Sequence, residues 1–361
     1  MLLLLLACDP EKPADDSVAP PDCGVTEAQV QRLDVPTGYR SIDIPVDAPW
    51  LAEQRTVPMG LWYNTDATEG DGAMFLGMFP DANSLVDAPF ADPKPGCKLP
   101  LIIYSHGSQA WGGSNSPLLR HLVAQGWVAA APDHIDNTLA DNVDPRPVSF
   151  SLTRVADMRA TLDAIENLPE SDPLYGRVDT SRVLLMGHSF GGQTSWLMSG
   201  ATLDAERLNA RCDEGPPGCT EAERAAFTTS MTDPRVVAVM PLDGFAGSDV
   251  VAAEGWATAD RPILYLNKSS DGDDEAFVTA ASTNLIWARF EGACHETFNN
   301  SPVLCDGWDK AYGLDLTAAF MTAFAGEQIL GLVQDPYIGI LDGTNSLDPR
   351  IQVQRTESAA P

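Results

Sequence analysis

Positive charge is scarce in this chain: 22 Lys plus Arg stand against 51 Asp plus Glu, a formal net charge of −29. So acidic a protein is repelled by nucleic acid and by anionic membrane surfaces, and neither is expected as a partner. The apolar start, Met1 with five leucines and Ala7, is too short to span a bilayer and lacks the basic segment of a full signal peptide. No internal repeat is visible, so a solenoid or array is excluded. Histidine is rare, at positions 106, 121, 134, 188 and 295 only. No second ligand stands at a metal-like spacing from His295, so neither a metal nor another cofactor is expected.

What is present is ample apolar material, 44% of 361 residues, enough for one large α/β domain. Leu5-Leu6-Ala7-Cys8 resembles the lipobox of bacterial lipoproteins, which implies lipidation at Cys8, export, and contact with a membrane only through that anchor. The stretch 9–22 holds four prolines and five acidic residues and has little to bury. The expected organisation is a leader over 1–8, a disordered tether over 9–35, one α/β domain over 36–335 and an irregular tail over 336–361. A monomer is expected.

Setting Cys8 aside leaves six of the seven cysteines, which permits up to three disulfides in an exported chain. The sequence does not fix their pairing. Cys212 and Cys219 bracket a turn, Cys294 and Cys305 bracket the loop of His295, and Cys23 and Cys97 are left for each other.

Arg40 to Val46 and Thr56 to Tyr63 alternate apolar and polar residues and read as an antiparallel edge. The region from 64 to 97 reads as loop-rich, heavy in Asp, Gly and Pro. Leu99 to Tyr104 and Trp127 to Ala131 are apolar throughout, as central parallel strands are. Ser116-Pro117 and Gly126 frame a helix over 117–125. Helical spacing from Arg154 to Leu168, a strand at Arg182 to Met186 and a helix over Gln193 to Met198 follow. Residues 201–232 read as a polar inserted segment after that helix. Strands at Arg235 to Met240, Pro262 to Asn267 and Asn284 to Phe290, and a helix over Gly313 to Leu330, complete the alternation. The pattern predicts a mostly parallel, doubly wound sheet with helices on both faces.

Gly187-His188-Ser189-Phe190-Gly191-Gly192 lies between a predicted strand and a predicted helix, the context of a nucleophile elbow. Ser189 is the candidate nucleophile. A serine hydroxyl needs a base, and only His295 follows Ser189 in the order serine, acid, histidine. The acid is Asp243, a lone carboxylate ending a strand, with Asp271 in an acidic loop as the alternative. The oxyanion that forms on attack requires fixed donors. These are the backbone N–H of Phe190 and one from Ser108 or Gly107, after the Leu99 to Tyr104 strand. Trp111 is a candidate wall of the substrate pocket. His188 packs beneath the elbow and is the second candidate for the substrate pocket.

These motifs resemble the α/β-hydrolase superfamily. Tyr104-Ser105-His106-Gly107, Ala131-Pro132-Asp133-His134, the elbow, Leu242-Asp243-Gly244 and His295-Glu296-Thr297-Phe298 are similar to those of platelet-activating-factor acetylhydrolases and dienelactone-hydrolase-like esterases. Met186-Gly187-His188-Ser189 and Asn137-Thr138 are shared with cutinase-like polyester hydrolases. The resemblance implies an α/β-hydrolase fold and cleavage of short-acyl or phospholipid-type esters, or alternatively of a polymer ester. A non-catalytic binding module on the same fold is the reading of another class; such relatives usually lose the serine or histidine, and both are present here.

Overall fold

The computed structural model describes residues 23–215, 218–244, 250–268 and 283–356. Cys8, the tether up to residue 22 and Asp271 lie outside the described residues. Eleven strands among the described residues form one sheet: β1 (Thr37–Val46), β2 (Arg55–Tyr63), β3 (Gly72–Phe75), β4 (Phe79–Val86), β5 (Leu99–Ser105), β6 (Val128–Pro132), β7 (Val178–His188), β8 (Val236–Leu242), β9 (Ile263–Lys268), β10 (Leu285–Phe290) and β11 (Ile351–Thr356). Their order is β11-β10-β9-β8-β7-β5-β6-β2-β1-β4-β3. The centre, from β6 across to β10, is parallel. Antiparallel strands β2 and β11 flank it.

Both faces of the central strands are apolar because both are covered. Leu101, Ile103, Val183 and Leu185 point into one core, with Val155 and Met158 of α2 (Phe150–Glu166) and Trp196 of α3 (Phe190–Met198). Their neighbours Ile102, Tyr104, Leu184 and Met186 point into the other, against Leu118 and Leu122 of α1 (Ser116–Val123) and Phe320 and Phe324 of α6 (Lys310–Ala325). Period-two alternation thus distributes one continuous apolar run between two helical layers. The predicted architecture, a mostly parallel sheet with helices on both faces, is the one observed.

Three regions depart from the sequence reading. Residues 64–97 are not all loop: β3 pairs antiparallel with β4, and β4 lies parallel to β1. Residues 23–35 are not a free tether. Cys23 is bonded to Cys97, Ala28 N donates to Tyr337 Oη at 2.6 Å, and Arg32 pairs with Asp315 at 2.7 Å. The C-terminal region is not irregular either, since it forms α7 (Tyr337–Leu341) and then β11. Only the open edge of β10 makes a strand of Ile351–Thr356: its backbone groups find their partners there.

Residues 201–232 contain α4 (Ala205–Asp213) and α5 (Glu221–Ala226), and they bury Leu208, Phe227 and Met231 against the core of α2 and α3. Cys212 pairs with Cys219, and Cys294 with Cys305, as expected. Three disulfides mark an oxidising, exported environment.

Candidate active site

Strand β7 runs straight into α3 through one residue, Ser189, at φ 54° and ψ −118°. A positive φ at a non-glycine residue costs on the order of 1–3 kcal/mol and persists only where the surroundings enforce it. Here the enforcement is steric. A Cβ on Gly187 would stand 2.0 Å from the Gly191 carbonyl oxygen, and one on Gly191 would stand 1.8 Å from that of Ser105. The turn can close only with glycine at both places, and closing it sets Ser189 at the carboxyl edge of the sheet. Among the described residues the Ser189 hydroxyl makes no hydrogen bond.

The next two strands deliver the remaining groups. Ser189 N donates to Leu242 O at 3.0 Å and Asp243 N to Leu266 O at 2.7 Å, so the ends of β7, β8 and β9 are tied in a row. Asp243 also takes a positive φ, 40°, directly after β8. Its Oδ1 accepts from Lys268 N at 3.0 Å and its Oδ2 from His295 Nδ1 at 2.5 Å. The Asp243 side chain is 6% exposed and that of His295 is 38% exposed, so the acid is buried and the imidazole keeps a solvent-accessible side. With Nδ1 donating to Asp243, Nε2 is left with a free lone pair. Asp243, the first choice of the two acids weighed from sequence, meets His295; Asp271 lies outside the described residues.

His295 opens a short 3-10 turn, His295–Phe298, in the loop closed by the Cys294–Cys305 disulfide. His188 lies under this turn and buries its ring against that of His295. Asn299 and Ser301 both donate to Glu296 Oε2, at 2.6 and 2.7 Å. Burial pushes the Glu296 carboxyl up, but these donors and the two neighbouring imidazoles outweigh it and hold the carboxyl below its ordinary value.

The loop after β5 abuts the elbow: a Cβ on Gly107 would meet Ser189 Cβ at 3.2 Å. Further along it, Gln109 N donates to Asn137 O and Ala110 N to Gly107 O. The N–H groups of Gly107 and Ser108 have no acceptor among the described residues. Phe190, the first residue of α3, likewise has no acceptor within its helix. Backbone donors are thus available on both sides of Ser189.

Ser189, Phe190, Ser108 and Asp243 line a cleft of about 420 Å³, whose walls include Phe150 and Val250. A larger groove of about 880 Å³, between β1 and α2, shares no lining residue with it. Two residues expected in the substrate pocket are not among the cleft's lining residues. Trp111 stacks on Phe79 at 3.8 Å between centroids, because β4 brings that ring under the loop, and His188 is buried below the elbow. The cleft instead includes Arg146 and Arg211, which the sequence reading missed. Arg146 lies in a proline-flanked loop whose fold no periodicity announces; its guanidinium donates to Ser108 Oγ at 2.5 Å and lies 4.6 Å from the Phe190 ring.

No family model matches the chain. Chlorophyllase-1 of Citrus unshiu and of Citrus sinensis are each 29% identical to it over 101 residues, 27% of this chain and 28% of those proteins' length. A solved ferulic acid esterase from Streptomyces cinnamoneus superposes with a TM-score of 0.63 at 20% identity, covering 90% of this chain and 98% of that one. At that identity the likeness speaks to architecture: the chain has the α/β-hydrolase fold.

Proposed function

We propose that the protein is a serine carboxylic-ester hydrolase working through an acyl-enzyme. The observation that carries the reading is the Asp243–His295 contact at 2.5 Å, made beside a serine held at positive φ. Ser189 Oγ attacks the ester carbonyl while His295 Nε2 takes its proton. Asp243 holds the tautomer that makes Nε2 the base and stabilises the imidazolium. The free N–H groups of Phe190 and of Ser108 or Gly107 receive the carbonyl oxygen as it becomes an oxyanion. The imidazolium then protonates the leaving alcohol, and a water repeats the sequence to release the acid.

Several features support a small ester as substrate. The cleft is of ligand size and is partly apolar at Phe150 and Val250. The motif resemblance implies short-acyl or phospholipid-type esters, and the fold is shared with a ferulic acid esterase. A fluorophosphonate probe together with p-nitrophenyl butyrate tests the reading. Wild type should be labelled at Ser189 and should release nitrophenol, and Ser189→Ala should do neither while staying folded. An unlabelled, inactive wild type would instead favour a binding module.

A further inference from the structure

We propose that Arg154 is a positioning residue for this reaction: one buried guanidinium bridges the two halves of the oxyanion hole and fixes their separation. The inference rests on the hydrolase reading above. Arg154 stands on α2 and is fully buried. On the loop side its NH2 donates to the His106 carbonyl and, at 3.1 Å, to Ser105 Oγ. Its NH1 donates at 2.8 Å to Asn137 Oδ1, and Asn137 Nδ2 in turn donates to Ser108 Oγ at 3.3 Å. On the elbow side its Nε reaches Thr194 Oγ1 of α3 at 3.4 Å, and its plane lies 4.6 Å from the centroid of the Phe190 ring. The residues that supply the two sets of oxyanion donors are therefore held by the same planar group.

What lies behind Arg154 fits this role. Asp157, one turn further along α2, accepts from His134 Nδ1 at 2.8 Å and from Arg55 at 3.3 Å. His134 Nε2 accepts from Ser105 Oγ at 2.9 Å, and His134 N donates to His106 Nε2 at 2.9 Å. With Nε2 occupied, His106 donates from Nδ1 to Gly107 O at 2.7 Å. This Asp157–His134–Ser105 array repeats the acid–histidine–serine order of the surface site. It is wholly buried, and its serine is saturated by His134 on one side and Arg154 on the other. It cannot attack a substrate. It fixes Ser105, the last residue of β5, from which the oxyanion loop departs. Burying a guanidinium is costly, and an apolar side chain could fill the same space at lower cost. The forked, planar donor set is what an apolar residue or a lysine could not supply.

Arg154→Lys keeps the charge and removes the fork and the stacking face; Asn137→Ala leaves Arg154 in place and removes its relay to Ser108, together with the Asn137 bond to Asn142 Oδ1. Steady-state kinetics on p-nitrophenyl butyrate and the rate of Ser189 labelling by a fluorophosphonate, whose phosphoryl oxygen occupies the same hole, provide the readouts. Arg154→Lys should lose roughly 10- to 100-fold in kcat with KM within about threefold, and labelling should slow in parallel. Asn137→Ala should lose roughly five- to tenfold, again in kcat. A folded Arg154→Lys with wild-type kcat, or with its loss confined to KM, overturns the inference. Should Arg154→Lys fail to fold, undiminished kcat in Asn137→Ala overturns it alone. A wild type that neither hydrolyses the ester nor is labelled removes the hydrolase reading itself, and this inference with it.

Discussion

The rings of His188 and His295 pack at a tilt of 40° with centroids 4.6 Å apart, and Nε2 of His188 donates to the backbone carbonyl of His295 at 3.0 Å. The residue just before the nucleophile thus holds the loop that carries the base. Asn299 Nδ2 donates to Nδ1 of His188 at 3.2 Å, so both ring nitrogens are committed as they stand in a neutral imidazole. Burial, and then the charge of His295, push His188 down to about 4. It stays uncharged while its neighbour becomes an imidazolium, where a second cation at this distance would oppose that step.

His188→Phe preserves a flat buried ring and removes the bond to the His295 carbonyl. It should lower kcat roughly tenfold, because the base loses a fixed position rather than its identity. Stopped-flow or steady-state assay of p-nitrophenyl butyrate checks this. Wild-type kcat in a folded variant would show that the His295 loop needs no such support.

Asp243→Asn should be far more damaging, by about 10³–10⁴ in kcat, because an amide can impose the wrong tautomer on His295. Lys268 N already holds Oδ1 in place, so the substituted side chain keeps its position and the variant should fold. Loss of less than tenfold would remove Asp243 from the mechanism.

The sequence made these site residues legible for reasons that the structure displays. Ser189 sits in a turn that tolerates only glycine at Gly187 and Gly191, so the motif is written by sterics. Asp243 stands alone between an apolar strand and a glycine, and such an acid needs a partner. Arg154 was hidden because the helical spacing of Val155, Met158 and Leu162 marks α2 as a buried helix without saying what the rest of its circumference faces. Arg154, Asp157 and Thr161 line a second stripe that is also buried. Opposite charges three residues apart beside an apolar stripe were the available signal. Strand β11 was obscured differently: Ile351 and Val353 do alternate, but Gly343, Asn345, Asp348 and Pro349 precede them, and a short strand is decided by its neighbour.

The disulfides should separate stability from activity. Closing a long loop restricts the unfolded chain more than closing a short one. The Cys23–Cys97 bridge, with a separation of 74 residues, should contribute about 4.5 kcal/mol, against about 3 kcal/mol for Cys294–Cys305 with a separation of 11. Replacing Cys23 and Cys97 by serine should therefore lower Tm the more and leave kcat nearly intact. Replacing Cys294 and Cys305 should lower kcat the more, since that bridge closes the loop of His295. Calorimetry and ester assay on the two double variants test the crossing; matched losses in both would discard it.

Acid should loosen the N-terminal segment through His121. This residue is buried on α1, where its Nδ1 accepts from Leu33 N at 2.9 Å and its Nε2 donates to Thr322 Oγ1 at 2.7 Å. Burial, with a smaller contribution from the charge of Arg32, pushes its pKa down to about 4. The sign follows from proton counting. Between the ordinary histidine value of 6.5 and about 4 the unfolded chain binds the proton and the folded chain does not, so stability falls with falling pH across that window. Each pH unit costs up to about 1.4 kcal/mol for one such group. Protonation would also set an N–H on Nδ1 against the N–H of Leu33, so the contact of residues 23–35 with α1 should open first. Burial raises Asp133 to about 6 and Asp157 to about 7, and these carboxyls act in the opposite sense, being more stabilising when protonated. The His121 contribution is therefore read as a difference. His121→Gln should show a smaller loss of Tm than wild type on going from pH 7 to pH 4.5, and the hydrogen-exchange protection factor of Leu33, taken against the intrinsic rate at each pH, should fall with acid in wild type. Identical pH slopes in the two proteins would exclude His121 as the acid-sensitive contact.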